Sequence, residues 1–93
     1  MSFNKDTAAK KAMEDLATRL GVDEGGIETR SVDEKDFPDM SLGAPAEGEM
    51  SASMISSGWV IKLGADGKGY EYRADKYQLR LVDFEGTNHV VVS

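Results

Sequence analysis

The apolar residues of this 93-residue chain change their spacing once, and that change restricts the folds available to it. From Thr7 to Leu20 they recur every three or four positions, which is the spacing of one helical face. From Gly58 onward they alternate with polar residues, which is the period of a half-buried strand. The sequence therefore predicts an α+β fold, with an N-terminal amphipathic helix packed on a four- or five-stranded antiparallel sheet.

The predicted elements make up one domain over residues 1–93, since single cores usually span about 50–200 residues. A helix at about 6–20 begins at a cap supplied by Asn4, Asp6 or Thr7 and ends at Gly21. An acidic loop is expected at about 33–49, and residues 86–93 form a last short strand or a tail. The strands are expected at about 27–32 (an edge strand), 49–56, 58–63, 69–74 and 77–83, with a hairpin turn at 64–67. The inward-facing strand residues are expected to be Trp59, Ile61, Leu63, Tyr70, Tyr72, Leu79 and Leu81.

The net charge of −6 is concentrated in one segment. Residues 23–49 contain nine acidic residues and only two basic ones. This distribution argues against nucleic acid and against anionic membrane surfaces as partners, because both require a basic footprint. No apolar run has the length of a signal peptide core or a membrane span, so we expect a soluble, cytoplasmic protein. An exported protein expressed without its signal would have the same sequence.

Few residues are suited to catalysis. The chain has no cysteine, which excludes a disulfide framework, a thiolate zinc site and a cysteine nucleophile. Its single histidine, His89, is expected to be an exposed tail residue, and no serine lies in a nucleophile-elbow motif. No carboxylate has an apolar setting that would raise its pKa. We therefore expect a non-enzymatic domain without a cofactor.

Three groups of residues have a structural and a functional interpretation. Asp33, Asp36 and Asp39 are candidate ligands for calcium or magnesium, although their spacing is not that of an EF-hand loop and a role in solubility is the simpler reading. The aromatic residues are either core residues or a stacking platform for a ligand, and three methionines are either gap-fillers or an adaptable contact surface. These residues are Trp59, Tyr70, Tyr72, Tyr77, Met40, Met50 and Met54.

The stretch DFPDMSLGAPAEGEM at 36–50 has two prolines and no periodicity. Loops of this length in compact domains are usually functional or disordered, and proline limits the entropy that a loop loses on docking. The stretch is therefore either a recognition loop or a structural connector. In the first case its binding residues are Phe37, Pro38, Asp39, Met40, Ser41, Leu42, Ala44 and Pro45.

Three blocks of the sequence, DFPDMSLGAP (36–45), GWVIKL (58–63) and GYEYRAD (69–75), resemble a family of small, largely uncharacterised prokaryotic domains. The family pattern is W-P-D-x-S-L-G-C-P, then P-G-Y-x-I-x-L, then Y-x-Y-H-T-D. The resemblance spans about residues 8–82 and supports the fold prediction without implying an activity. Ala44 and Arg73 stand at the family's cysteine and histidine positions, so any role of those two residues is absent here.

The helix is also loosely similar to that of PepSY domains, which have an A-x-x-x-L-A-x-x-L-G-V pattern followed by a strand. The matching residues are Ala12, Leu16, Ala17, Leu20, Gly21 and Val22. This likeness implies a domain that restrains a peptidase.

Together, these patterns predict a protein- or peptide-binding module acting through loop 36–49, in a monomer or weak homodimer. A small-ligand or divalent-metal-binding module is the alternative, and an enzyme of unknown type the third reading.

Overall fold

The fold is one helix on one antiparallel sheet, as the sequence predicts, in a computed structural model that describes residues 2–93. The elements in chain order are helix α1 (Lys5–Leu20), a single 3₁₀ turn (Glu24–Gly26), and strands β1 (Glu28–Phe37), β2 (Ser56–Ala65), β3 (Lys68–Ala74), β4 (Leu79–Phe84) and β5 (Thr87–Val92).

Helix α1 begins and ends where its sequence provides partners for the unpaired backbone groups. The side chain of Asn4 accepts a hydrogen bond from the backbone N–H of Thr7, whose hydroxyl accepts one from the backbone N–H of Asn4. This reciprocal capping box identifies Asn4 among the three predicted caps. Gly21 ends the helix in the left-handed conformation, with φ at 69°, as expected.

The strands are arranged in their chain order, β1-β2-β3-β4-β5, and every pair is antiparallel. β1 is an edge strand, as predicted, and β5 is the other edge. A hairpin turn at Asp66 and Gly67 joins β2 to β3, and both residues have positive φ, at 51° and 76°. This pair of conformations suits a two-residue hairpin and confirms the predicted turn.

The main core lies between α1 and one face of the sheet. Of the predicted inward-facing residues, Trp59 and Tyr70 are half-buried and the other five are fully buried. The hydroxyl of Tyr72 donates to the Asp15 carboxylate of α1 at 2.7 Å, and burial raises the pKa of Tyr72. The strand residues that alternate with the core, including Arg73 and Arg80, point to the opposite face, which we call the second face.

The predicted strand at 49–56 is wrong, because residues 50–55 form no regular element. Their alternating apolar side chains are exposed and have no neighbouring strand to pair with. The bounds of other elements differ as well. β1 extends to Phe37 and so takes in the start of the predicted acidic loop, β2 includes Ser56 to Gly58, and Tyr77 precedes β4. The predicted tail contains β5.

Gly58 lies in the stretch SSG (56–58), which resembles a turn in the sequence but belongs to β2. A Cβ atom at this position would lie 1.9 Å from the backbone oxygen of Ala74 in β3. The glycine therefore permits a close approach of two strands. Within residues 2–93, no helix is long and apolar enough to cross a membrane.

Candidate functional site

The loop between β1 and β2 (residues 38–55) lies on the second face of the sheet, and its first half is bound there through its backbone. Four of its carbonyl oxygens accept hydrogen bonds from side chains of β3, β4, β5 and the β3–β4 turn. The pairs are Met40 O with Gln78 Nε2 (2.7 Å), Leu42 O with Arg73 Nη1 (2.9 Å), Ala44 O with Arg80 Nη1 (3.2 Å) and Pro45 O with Asn88 Nδ2 (3.1 Å). The sheet therefore fixes the path of this half of the loop largely without using its side chains.

Asp39 organises a tight turn at the start of the loop. One carboxylate oxygen accepts from the hydroxyl of Ser41 (2.6 Å), from its backbone N–H (2.9 Å) and from the backbone N–H of Gly43 (3.1 Å). The hydrogen bond from the Ser41 hydroxyl is the main reason why the pKa of Asp39 is lowered. Leu42 and Gly43 both have positive φ, at 59° and 66°. Asp39 thus stabilises a backbone conformation that leucine rarely adopts.

An ion pair fastens the loop further along. Arg80 is only 5% exposed, and its guanidinium binds both carboxylate oxygens of Glu49, at 2.8 Å to Oε2. The hydrogen bonds from Arg80 are the largest cause of the lowered pKa of Glu49, and a hydrogen bond from the backbone N–H of Ala46 lowers it further. Together they lower the pKa of Glu49 to about 2. Two-point pairing of this kind is among the stronger charge-assisted contacts in proteins.

Loop residues and the end of β1 form a small second core beneath this network. Phe37, Ser41, Leu42 and Ala44 are all 0–1% exposed, and the guanidinium of Arg73 lies 5.9 Å from the ring centre of Phe37. Four of the eight residues predicted to bind a partner are therefore enclosed by the protein. Asp39 is half-buried, and the exposed ones are Pro38, Met40 and Pro45. The loop thus has a buried side, which packs on the sheet, and an exposed exterior.

The exterior contains an unusual group of exposed apolar side chains, which we call the apolar patch. Its members are Met40, Met54, Ile55 and Tyr77, with exposed fractions of 38%, 63%, 75% and 71%. They line a shallow hollow of about 270 Å³. Three of the four come from the loop, and such a patch on a folded protein commonly marks an interaction site.

The turn that carries Tyr77 is fixed from below by Asp75. This carboxylate is buried and accepts from the Ser56 hydroxyl (2.9 Å) and from the backbone N–H groups of Tyr77 (2.8 Å) and Gln78 (2.9 Å). Both Ser56 and Asp75 line the hollow of the apolar patch. The floor of the hollow is therefore held by hydrogen bonds.

A second hollow, of about 300 Å³, adjoins the first, and we call it the charged groove. Its walls include Glu34, Lys35, Asp36 and Trp59, and it shares Ser57 and Lys76 with the hollow of the apolar patch. The Ser57 hydroxyl donates to the Asp36 carboxylate at 2.7 Å. The two hollows together form one continuous surface with an apolar half and a charged half.

The three aspartates considered as metal ligands do not converge. Asp33 and Asp36 are three residues apart on β1 and therefore point to opposite faces of the sheet. The Asp39 carboxylate already accepts hydrogen bonds from Ser41 and Gly43 in the turn described above. Across residues 2–93, no three or more histidine, cysteine or acidic side chains are grouped closely enough to hold a metal ion.

His89 lies within β5 and is half-buried, so it differs from the exposed tail residue that we expected. Its ring meets that of Phe84 edge-on, with the centres 5.9 Å apart, and its Nε2 atom lies 3.4 Å from the Phe84 carbonyl oxygen. The ring centre of Phe84 also lies 6.1 Å from the ring centre of Tyr70. Tyr70 and Phe84 line a concave region of about 490 Å³ beside the start of β3 and the end of β4.

Two sets of site residues were missed by the sequence reasoning. The sequence indicates no more than polar strand or turn positions for the residues that hold the loop, apart from the match of one of them, Arg73, to the family's histidine position. The others are Gln78, Arg80 and Asn88. The signal available was that arginines alternate with buried residues in β3 and β4, while the acidic segment 23–49 has only two basic residues for its nine acidic ones. Ile55 was treated as a strand residue and Tyr77 as a core or platform aromatic, because a paired strand had been expected there.

This chain belongs to a family described as a domain of unknown function (DUF8738), whose model matches residues 9–82. The matched region includes most of α1, the whole loop and strands up to β4. No curated protein and no solved structure matches the chain significantly.

Proposed function

We propose that this domain binds a protein or peptide through the apolar patch and the adjoining charged groove. The observation that carries the proposal is the exposure of Met40, Met54, Ile55 and Tyr77 around one hollow on a compact fold. Exposing them to water has a free-energy cost, which a partner would remove by covering them. Methionine side chains adapt their shape readily, so they suit contact with more than one apolar surface.

The fixed backbone of the first half of the loop and of the β3–β4 turn supports this role for Met40 and Tyr77. Side-chain donors from the sheet hold the carbonyls of Met40, Leu42 and Ala44, and Asp75 holds the turn that carries Tyr77. A surface that is already ordered loses less conformational entropy when a partner docks. The enclosed loop residues then serve to position the exposed ones. On this proposal the loop is both connector and recognition loop, with the two functions in different residues.

The charge of the surface indicates which partner it suits. The charged groove beside the indole of Trp59 is lined by two carboxylates, Glu34 and Asp36, and by two lysines, Lys35 and Lys76. The acidic excess comes from the surrounding segment 23–49, which has nine acidic residues against two basic ones. Carboxylates attract a lysine or arginine, and an indole face adds a cation–π contact. The partner segment should therefore present apolar side chains next to basic ones.

The test uses a displayed library of random peptides, panned on the intact protein and followed by calorimetric titration of the enriched peptides. We expect enriched peptides to combine apolar residues with lysine or arginine. The double variant Met54→Ser, Ile55→Ser should weaken their binding by about tenfold or more, because each apolar side chain at such a contact contributes about 1 kcal/mol or more. Met50→Ser is the matched control, since Met50 is 97% exposed and does not line the hollow.

Equal binding by the double variant and the control would reject the apolar patch as the contact surface. Whole-loop replacement is less informative, because the loop residues Ser41, Leu42 and Ala44 are buried and the fold itself would be destabilised. Point changes at exposed positions avoid that ambiguity.

A finer form of the proposal makes the partner a peptidase, which the likeness of α1 to the PepSY helix suggests. The loop segment that the sheet binds, Pro38 to Pro45, lies within the first of the three motif blocks. We expect the domain to slow a susceptible peptidase and the double variant to lose this effect. A panel of purified serine, cysteine, aspartic and metallopeptidases, assayed with fluorogenic substrates, provides the measurement.

A small-ligand-binding module is the second candidate, and the concave region beside Tyr70 and Phe84 favours it. Its volume of about 490 Å³ lies within the range of ligand pockets. Lys68 lies 5.6 Å from the Tyr70 ring centre and Arg19 lies 5.7 Å from that of Phe84. A fragment screen by NMR, with amide shifts near these residues as the readout, distinguishes this candidate from peptide binding at the apolar patch.

We also propose that the domain is not an enzyme. The support is the environment of His89, whose ring contacts Phe84 and whose nearest polar partner is a backbone carbonyl. A general base needs hydrogen-bonding reach to a reacting group and an orienting partner. A hydrolase activity that disappears in His89→Phe but persists in the double variant of the apolar patch would overturn this proposal.

A further inference from the structure

The two edges of the sheet differ in how they are protected against pairing with another strand. Six of the ten residues of β1 are charged, whereas none of the six residues of β5 is an acid, lysine or arginine. Charged side chains are a common means of blocking unwanted pairing at a sheet edge. β5 has the sequence TNHVVV, with three consecutive β-branched valines, and lacks that protection.

The outward backbone groups of β5 are also uncovered. Apart from its pairing with β4, no backbone hydrogen bond reaches residues 87–92 from elsewhere in residues 2–93. The side chains of Asn88 and His89 turn back toward the protein, with Asn88 bonded to Pro45 and Asp83 and His89 packed on Phe84. Val90 is 36% exposed. No backbone group of the described residues outside β4 therefore covers this edge, although the register with β4 shifts between Leu79 and Arg80 and between Leu81 and Phe84.

We propose that β5 pairs antiparallel with β5 of a second copy of this chain, so that two five-stranded sheets form one continuous sheet. A twofold axis perpendicular to the sheet relates the two strands and preserves the identity of each face. With the axis at Val90, this valine lies opposite its own copy and His89 lies opposite Val91. Such β-branched and aromatic cross-strand pairs are favourable.

A second copy fits this edge better than the acidic edge because the pairing sets no charged side chains of the strands against each other. Self-pairing of β1 over its full length would instead set Arg30 opposite Lys35, a like-charge pair, which is destabilising. Each copy has a net charge of −6, so long-range repulsion still opposes association. Because salt screens such repulsion, the dimer should tighten as ionic strength rises. Since six paired residues bury less than the ~1,600 Å² of a standard interface, the dimer should be weak, with Kd of about 10 μM or higher.

Sedimentation velocity over a concentration series, at low and high salt, tests the proposal on the intact chain. The mass should rise from 10.1 kDa toward twice that value, and more readily at high salt. Val90→Lys should abolish the rise, because two lysines would face each other across the axis. Thr29→Lys on the opposite edge is the matched control and should leave it unchanged. A constant mass of 10.1 kDa for the wild type up to about 1 mM would overturn the proposal.

Disulfide trapping gives a second measurement that does not depend on a destabilising change. The chain has no cysteine, so the variant Val90→Cys contains a single thiol. Facing Cα atoms in antiparallel strands lie about 4.5–5.5 Å apart, which a disulfide can span. We expect rapid covalent dimer formation for Val90→Cys under mild oxidation and not for Thr29→Cys. Equal rates for the two variants would reject β5 as the interface, and a dimer lost only in the Met54→Ser, Ile55→Ser variant would assign it to the apolar patch instead.

Discussion

Replacing Arg80 by methionine tests the conclusion that the sheet holds the loop by its backbone. Arg80 is 5% exposed and donates to the carbonyl of Ala44, to Gln78 Oε1 and to both carboxylate oxygens of Glu49. Methionine retains much of the apolar stem and cannot donate a hydrogen bond. The Arg80→Met variant therefore removes the anchor with little change in packed volume.

The expected loss follows from the groups left without partners. The buried carbonyl of Ala44 loses a charged donor, which costs about 1–3 kcal/mol. The Glu49 side chain is 29% exposed and can turn toward water, so the lost ion pair adds only about 1 kcal/mol or less. We expect a total of about 2–3 kcal/mol, which corresponds to a decrease in Tm of about 10–20 °C for a domain of this size.

Urea denaturation and hydrogen exchange measure the two parts of this effect. The unfolding midpoint should fall, and the amides of Leu42 and Ala44, which bond within the loop, should lose protection. Arg30→Met is the control. Arg30 pairs with Glu28 at 3.0 Å, but both side chains are well exposed, so its loss should cost less than about 1 kcal/mol. If the two variants lose equal stability, Arg80 does not anchor the loop and the reasoning fails.

Two further predictions concern pH and backbone spacing. Because Arg80 lowers the pKa of Glu49 to about 2 from an ordinary 4.5, the ionised pair stabilises the fold above about pH 4.5, and this contribution is lost as pH falls toward 2. Glu49→Gln should therefore show a shallower fall of Tm across this range, and an unchanged slope would contradict the assignment. Gly58→Ala should cost about 3 kcal/mol or more in urea unfolding because its Cβ would meet Ala74 O, whereas Gly25→Ala, which meets nothing within 4 Å, should be nearly neutral.

The parts of the fold that follow from local periodicity could be predicted from the sequence. The spacing from Thr7 to Leu20, the capping residue Asn4 and the pair Asp66–Gly67 each specify their structure through neighbours within four positions. The alternation around Ile61 specifies which face of β2 is buried. These elements needed no knowledge of distant contacts.

The path of the loop could not be predicted in the same way, because its partners are distant in the sequence. Arg73 and Arg80 contact carbonyls 31 and 36 residues away, and a carbonyl is present at every residue. Nothing in the identity of Leu42 or Ala44 therefore indicates that its oxygen is bound. For the same reason, the alternation at Met50 and Met54 resembled a strand although no neighbouring strand was available to pair with it.

The attachment of the loop through main-chain oxygens has a consequence for how the domain can change. A carbonyl oxygen is the same whichever side chain accompanies it, so substitutions at Met40, Met54 or Ile55 leave these anchoring bonds intact. On the function proposed above, the contact specificity of the apolar patch can then be altered independently of the stability of the scaffold. In this respect the arrangement is like that of a display framework, and libraries randomised at these exposed positions should give a high proportion of folded members with new binding preferences.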